Sequence, residues 1–485
     1  MIKNEDRINP TQLNNALNTY NPWWEQTTYA WDNPAFLREY FDLGVKHLTE
    51  KHSLALLING PRRIGKTTLM RQLMEHLAKA KNVPPKSIFF FSLDDPFIQQ
   101  LPASEQGSGF EKLMAGWEST LRNRLAEAKE PLYCFLDEVQ RLPRWELYIK
   151  RYVDLHYPVR FIISGSASHT IFRKSLESLL GRVIEISMPP FSFREWVRFH
   201  HPTFAELINS QAQKRIDIKD RSSLKQSIEQ IINDLPADGI SLINHYANEY
   251  SQAGGFPQLW EQENVERSQF VDLQYIQRVT LEDLRLIKEI RRPEIFHQFL
   301  RYAFARTGEE YNLEELAGKI KTTRVTLSGA LPLLFQTELI SKVERFTGKP
   351  VRLRSTHAKL YAADTMLYEA ITKLPADLNG PEKGRLAETL VFNVLRRFAG
   401  ITDISYFRSQ DGLKEIDFIV RIGRALVPIE VKLRAEINSK DTSAINSFLQ
   451  EHSAESYFGI LITENNLELS GEILQVPLGI FLLLN

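Results

Sequence analysis

The chain has a single cysteine, Cys134, in 485 residues, so neither a disulfide framework nor a cysteine-rich zinc site is open to it. It also lacks net charge. Sixty basic and sixty acidic residues cancel, so whole-chain electrostatics name no partner, and any nucleic-acid surface must be local. Histidines do not form a metal pattern either: His200 and His201 are adjacent rather than four apart, and no histidine–cysteine cluster exists. The apolar C-terminal run Val476–Leu484 is too short to cross a bilayer and reads as a final strand, so no membrane partner is expected. The first residues carry no apolar segment, which argues against a signal peptide and for a cytoplasmic protein. No internal repeat or low-complexity tract stands out. What is present, 43% hydrophobic and 25% charged residues, is an ordinary globular composition, and the length suggests about three or four domains.

Residues Gly60 to Thr68 read G-P-R-R-I-G-K-T-T, a complete phosphate-binding loop of the form G-x-x-x-x-G-K-S/T. The run Ser53–Asn59 before it suits a buried parallel strand, and Leu69, Met70, Leu73, Met74 and Leu77 after it fall at helical spacing. Gly60 and Gly65 let backbone N–H groups curl around phosphates, with the helix N-terminus adding its positive end. Lys66 is placed to reach the β and γ phosphates of ATP, and the Thr67 hydroxyl to ligate Mg²⁺; Thr68 completes the motif. Arg62 and Arg63 are open between phosphate contact and solvated charge.

A second apolar strand, Ser87–Leu93, precedes a third, Leu132–Leu136, which ends in Asp137-Glu138. Behind a phosphate loop, such a pair is expected to divide the work: Asp137 holds Mg²⁺, and Glu138 orients and deprotonates the attacking water. A fourth strand, Val159–Ile163, ends in Ser164-Gly165-Ser166. A hydroxyl there, with Ser166 the candidate, would sense the γ-phosphate or belong to a plain turn. No G-x-S-x-G elbow is present, which excludes a serine hydrolase.

The motifs G-P-R-R-I-G-K-T-T, L-D-E-V-Q-R-L-P-R-W-E, S-G-S-A-S, and L-L-G-R-V followed by P-F-S-F-R-E-W resemble the AAA-type ATPases of the archaeal and bacterial ATPase family. The resemblance implies an ATPase, in many members joined to a C-terminal domain similar to restriction endonucleases. It also implies a role for Arg182, which matches a family arginine and would touch the γ-phosphate in cis or reach a neighbouring subunit of a homo-oligomer.

Residues from His200 to about Asp238 are polar and read as an insertion or helical lid. Ala253-Gly254-Gly255-Phe256-Pro257 resembles a family turn and is a strong break between helices. Residues Phe296 to about Arg354 fit a winged helix: one helix over Leu313–Ile320, a second over Thr323–Leu334, then a hairpin carrying Lys342, Arg345, Lys349, Arg352 and Arg354 against Glu344. That basic strip suits DNA phosphates, although winged helices also serve as packing domains. Pro332 is a departure inside the second helix.

From Pro381 the pattern becomes a helix carrying Glu388, three closely spaced strands, a helix and a strand, an αβββαβ order. Strand alternation projects Glu430 and Lys432 from one face, and hairpin pairing brings Asp417 to the same face. Glu388, Asp417 and Glu430 converging would hold Mg²⁺ or Mn²⁺ through oxygen, with Lys432 positioning the water. G-R-L-A-E, E-I-D-F and I-E-V-K are similar to the PD-(D/E)XK nuclease core, which implies phosphodiester cleavage at Glu388, Asp417, Glu430 and Lys432.

The expected architecture is therefore α/β: an N-terminal extension (1–45), a P-loop NTPase core of parallel sheet with flanking helices (46–200), a helical lid (201–292), a winged helix (293–375), and a restriction-endonuclease-like domain (376–485). The expected function is ATP hydrolysis coupled to action on DNA by a metal-dependent nuclease-like domain. The rival is an ATP-driven switch whose C-terminal domain only binds DNA or a protein partner, with a defence role against mobile elements as a further reading.

Overall fold

A computed structural model describes residues 10–26, 29–50, 54–121, 125–165, 179–208, 216–284, 292–348, 357–409 and 411–485. The chain divides into two compact units, Met1–Met188 with Glu282–Glu289, and Pro189–Leu281 with Ile290–Asn485. The first unit includes the N-terminal extension and runs to Met188. Among the described residues no helix is long and apolar enough to cross a membrane.

The first unit is built on five parallel strands: β1 (Ala55–Asn59), β2 (Ile88–Ser92), β3 (Leu132–Asp137), β4 (Val159–Ser164) and β5 (Val183–Ser187), in the order β2-β3-β4-β1-β5. Every residue of β1 and β3 is buried, as continuous apolar strands covered on both faces require. Parallel pairing sends the C-terminal ends of β1, β3 and β4 to one edge of the sheet, so Asn59, Asp137 and Ser164 finish side by side. The edge strand β2 would leave backbone groups unpaired. The extension covers them: the Asn21 side chain donates to Phe90 O (3.1 Å) and accepts from Phe90 N (2.7 Å), and the Trp23 and Trp24 indoles both donate to Ile88 O.

The second unit holds eight strands: β6 (Glu310–Asn312), β7 (Ile340–Arg345), β8 (His357–Ala362), β9 (Asp403–Arg408), β10 (Glu415–Ile422), β11 (Ala425–Lys432), β12 (Gly459–Thr463) and β13 (Ile473–Pro477). They form one mixed sheet in the order β13-β12-β11-β10-β9-β7-β8-β6. The helix Pro293–Ala305, β6, the helices Leu313–Lys319 and Arg324–Phe335, and the pair β7–β8 follow one another in that order. Pro332 lies inside the helix Arg324–Phe335. The helix Lys383–Leu395, β9, β10, β11, the helix Ser439–Glu451 and β12 then run in αβββαβ order. Residues 293–375 and 376–485 thus share a sheet, because β7 pairs in parallel with β9 through Glu344–Ser405 and Arg345–Tyr406.

The segment expected as a lid packs into the core of this second unit. Leu224, Ile228, Ile243 and Ala247 share an apolar cluster with Val391, Ile460 and Phe481. The expected final strand is instead β13 followed by the buried helix Leu478–Leu483. A short, wholly apolar run satisfies a buried helix as well as a strand. Gly479 admits the close approach: a Cβ there would lie 2.2 Å from Ile243.

Candidate functional site

The phosphate loop joins β1 to the helix Lys66–Lys79, whose buried face carries Leu69, Met70, Leu73, Met74 and Leu77. Gly60 and Gly65 sit at φ 137° and 94°, and Arg63 at φ 63°. At Gly60 a side chain is also excluded sterically, since its Cβ would approach Met188 O to 2.1 Å. Buried Arg38 donates to Ile64 O at 3.0 Å and so braces the loop from the extension. Lys66, 6% exposed, donates to Gly60 O (3.0 Å) and Pro61 O (2.7 Å) across the turn. Thr68 occupies the first helical turn beside Thr67.

The acidic pair meets the loop directly. Thr67 Oγ1 donates to Asp137 Oδ2 at 2.6 Å, and the Ser164 hydroxyl donates to Asp137 Oδ1. Lying between β3 and β1, β4 delivers Ser164 to that position. A hydroxyl and a carboxylate oxygen gathered beside a phosphate loop are the hard ligands Mg²⁺ prefers, so the residues fit the ion that accompanies ATP. Glu138 turns into the left-handed region (φ 53°), and its carboxylate accepts from Gln140 Nε2. Burial pushes its pKa above the ordinary range and Asp137 adds to the rise, while Lys66, Arg62 and Gln140 oppose it. A buried carboxylate beside the phosphate loop, its proton affinity raised, suits the role of a general base.

Several loop-side residues differ from expectation. Arg62 pairs with Glu282 at 3.1 Å, and Arg141 reaches the same carboxylate oxygen at 3.0 Å. Glu282 lies 220 residues from Arg62, and no local sequence signal marks it. Arg182 is not at the nucleotide edge. Its carbonyl accepts from Ala55 N at the start of β1, the opposite end of a five-residue strand from Gly60, roughly 15 Å away at about 3.3 Å per residue. Its guanidinium is held by Asp154, so a cis contact with the γ-phosphate is excluded in this conformation. Ser166 lies outside the described residues, as do Lys349, Arg352 and Arg354 of the basic strip. The described strip cations are engaged locally: Lys342 pairs with Glu344, and Arg345 donates to Arg408 O and Ser409 O.

In the second unit, the antiparallel register that pairs Phe418 with Ile429 sets Asp417 opposite Glu430 one step further along. Asp417 N donates to Glu430 Oε2 (3.1 Å), Val431 N donates to Asp417 Oδ2 (2.9 Å), and Lys432 pairs with Glu430 Oε1. Asp417 and Glu430 are each 5% exposed. Glu388, on the helix Lys383–Leu395, comes to the same cluster, accepting from Tyr361 OH at 3.2 Å.

The centre is filled by a residue absent from the expected set. Lys359, from β8, places Nζ 2.9 Å from Glu415, 3.3 Å from Glu388 and 3.3 Å from Asp417. The metal set expected at Glu388, Asp417 and Glu430 therefore needs correction. Among the described residues no group of three or more His, Cys, Asp or Glu side chains is disposed to hold a metal ion. Asp417 spends one oxygen on a backbone N–H and the other on the ammonium, so these residues do not fit a divalent cation as arranged. Burial pushes Glu388 and Glu430 upward and Asp417's charge adds to both. Burial opposes the charge on Lys359, and the surrounding Tyr361, Asp417, Glu388 and Glu415 outweigh it. Lys359 escaped sequence reasoning because its partners lie 29 and 58 residues away and its strand was assigned to another domain.

Comparison with known proteins agrees with the first unit and leaves the second unnamed. Residues 52–197 match a family described as an AAA domain. Residues 244–378 and 383–481 match two families described as domains of unknown function, DUF8612 and DUF4143. An uncharacterised protein of Methanocaldococcus jannaschii is 23% identical over 472 residues, 96% of this chain and 91% of that one. An uncharacterised protein of Haemophilus influenzae is 21% identical over 413 residues, 84% and 88% of the two chains. Among solved structures, a Walker-type ATPase of Pyrococcus abyssi is similar at 16% identity and TM-score 0.36, covering 72% of this chain and 99% of that one. The ORC1 protein of Aeropyrum pernix, solved in complex with DNA, is similar at 13% identity and TM-score 0.28, covering 70% and 94%. Residues 52–197 thus match an AAA domain and carry the phosphate loop, Thr67, Asp137 and Glu138 at one sheet edge.

Proposed function

We propose that the protein is an ATP-hydrolysing switch that engages DNA through its second unit without cutting it. The observation that carries the ATPase part is the 2.6 Å contact between Thr67 and Asp137, which joins the loop to the acidic pair. Thr67 and Asp137 would hold Mg²⁺, which when bound would offset charge on the phosphates. Lys66 neutralises the β and γ phosphates, and Glu138 takes the proton of the attacking water.

DNA is the favoured partner because the helix, strand, two helices and strand pair between Pro293 and Ala362 follow the order of a winged helix. Binding is favoured over cleavage because Lys359, rather than an open cation position, lies among the carboxylates. The nuclease reading remains the specific alternative, supported by the αβββαβ order and by Asp417, Glu430 and Lys432 on adjacent strands.

The test is DNA binding by the full chain across salt concentrations, with and without ATP. Phosphate contact imposes a steep fall in affinity with salt, and ATP is expected to change that affinity. Affinity indifferent to both removes DNA from the proposal. Parallel incubation of DNA with Mg²⁺ or Mn²⁺ is expected to give no cleavage. Cutting that Asp417→Ala and Lys432→Ala abolish establishes the nuclease instead.

A further inference from the structure

We infer that the acidic cluster of the second unit is built around a protein cation, the ammonium of Lys359, in the place a divalent metal would have to take. The inference is independent of ATP hydrolysis by the first unit. It rests on four observations.

The ammonium has three N–H donors, and it meets three carboxylates delivered by two elements: Glu388 from the helix Lys383–Leu395, and Glu415 and Asp417 from β10. The 2.9 Å separation is that of an ammonium–carboxylate hydrogen bond, and the two at 3.3 Å are longer ion-pair contacts. Mg²⁺ draws its oxygens to about 2.1 Å and Ca²⁺ to about 2.3–2.6 Å.

Much of the remaining acceptor capacity is also engaged. Asp417 Oδ2 takes Val431 N, Glu388 Oε2 takes Tyr361 OH, and Glu430 is divided between Asp417 N and Lys432. Glu415 pairs in addition with Arg408. Thus the carboxylates Glu388, Glu415, Asp417 and Glu430 face Lys359, Lys432 and Arg408, and a dication coordinated through Asp417 or Glu430 would displace partners that both of their oxygens already hold.

The lysine is held along its path. Its side chain is 6% exposed, and Nζ lies 5.8 Å from the centre of the Tyr406 ring on β9. A cation buried this deeply is tolerated only with charged partners. The cluster and the lysine therefore need one another.

The supply route is structural as well. Lys359 belongs to β8, which pairs with β7, and β7 joins β9 of the αβββαβ segment. The preceding strand pair thus brings its own counter-ion to the carboxylates when the common sheet forms. The consequence is that this cluster takes up no metal while the sheet is intact, and a neutral residue at position 359 creates the missing metal site.

Tb³⁺ provides a direct probe, since it accepts oxygen ligands and is sensitised by nearby tyrosines such as Tyr361 and Tyr406. Full-length, nucleotide-free protein is titrated as wild type, Asp417→Asn, Lys359→Met, and Lys359→Met/Asp417→Asn, so that any contribution from the ATP site cancels between variants. The expected result is an added luminescent site in Lys359→Met that is missing from wild type and abolished by Asp417→Asn. Lys359→Met is also expected to melt at lower temperature, and either Tb³⁺ or a second substitution, Glu388→Gln, to raise the melting temperature again. Should Lys359→Met alone fail to fold, Lys359→Met/Glu388→Gln, which removes a carboxylate along with its cation, is expected to fold. The inference is overturned if wild type already shows a Tb³⁺ site that Asp417→Asn removes. It is overturned equally if folded Lys359→Met gains no site, or if the paired substitution does not restore folding.

Discussion

At the scale of single residues, burial raises proton affinity in both carboxyl-rich regions. Glu138 is pushed above the ordinary glutamate range first by burial and then by Asp137. A general base works only when deprotonated, so a raised pKa removes activity on acidification sooner than an ordinary glutamate near ~4.3 does. The turnover number of the full chain should therefore decline toward acid with an apparent pKa above that value, while substrate saturation is maintained. A profile flat down to about pH 4.5 contradicts Glu138 as the base. Residue identity alone pointed to Glu138 because a strand ending in two acids after a phosphate loop is a local pattern. Lys359 had no such pattern. It is one lysine among the chain's sixty basic residues, and only tertiary pairing gives it five charged or phenolic neighbours.

At the scale of elements, local chemistry predicted element types well where turn and strand signals were strong. Gly254 illustrates this: it ends the helix Gly239–Ala253 at φ 72°, as the glycine pair and proline anticipate. Its partner was not legible. Gly255 N and Met366 N both donate to Asp364, a carboxyl 109 residues beyond Gly255. Burial raises Asp364 from 3.8 to about 6, partly offset by those two backbone donors. The folded state then binds this proton more readily than the unfolded state. Its contribution to stability grows as pH falls from about 6 toward 3.8 and is lost as pH rises back through that window. The difference in melting temperature between wild type and Asp364→Asn should change across this interval and level off above it. An interval without change contradicts the assignment. The C-terminal helix Leu478–Leu483 went unread for a different reason: an unbroken apolar run has no period to distinguish helix from strand.

At the scale of the molecule, the main revision concerns boundaries. Composition and motif spacing divided the chain into an extension and four successive domains. Pairing between β7 and β9 instead merges the last two into one sheet, and the intervening helical segment shares its apolar cluster. Such pairing is a nonlocal property, set by register between strands about 60 residues apart, and no window of sequence contains it. The same pairing brings Lys359 to carboxylates that sequence reasoning had reserved for a metal. The first unit needed less revision, because loop, acidic pair and strand order converge on one edge, and among the described site residues Arg182 lies away from it. ATP hydrolysis at that edge is the claim on which the proposed switch depends. The most direct measurement is steady-state ATP turnover by wild type and Glu138→Gln, with nucleotide binding measured on both. Removal of the general base is expected to lower turnover by roughly 10²–10⁴-fold while Lys66 and Thr67 continue to bind ATP. Turnover that survives Glu138→Gln unchanged, or a wild-type chain that binds no ATP, would contradict it.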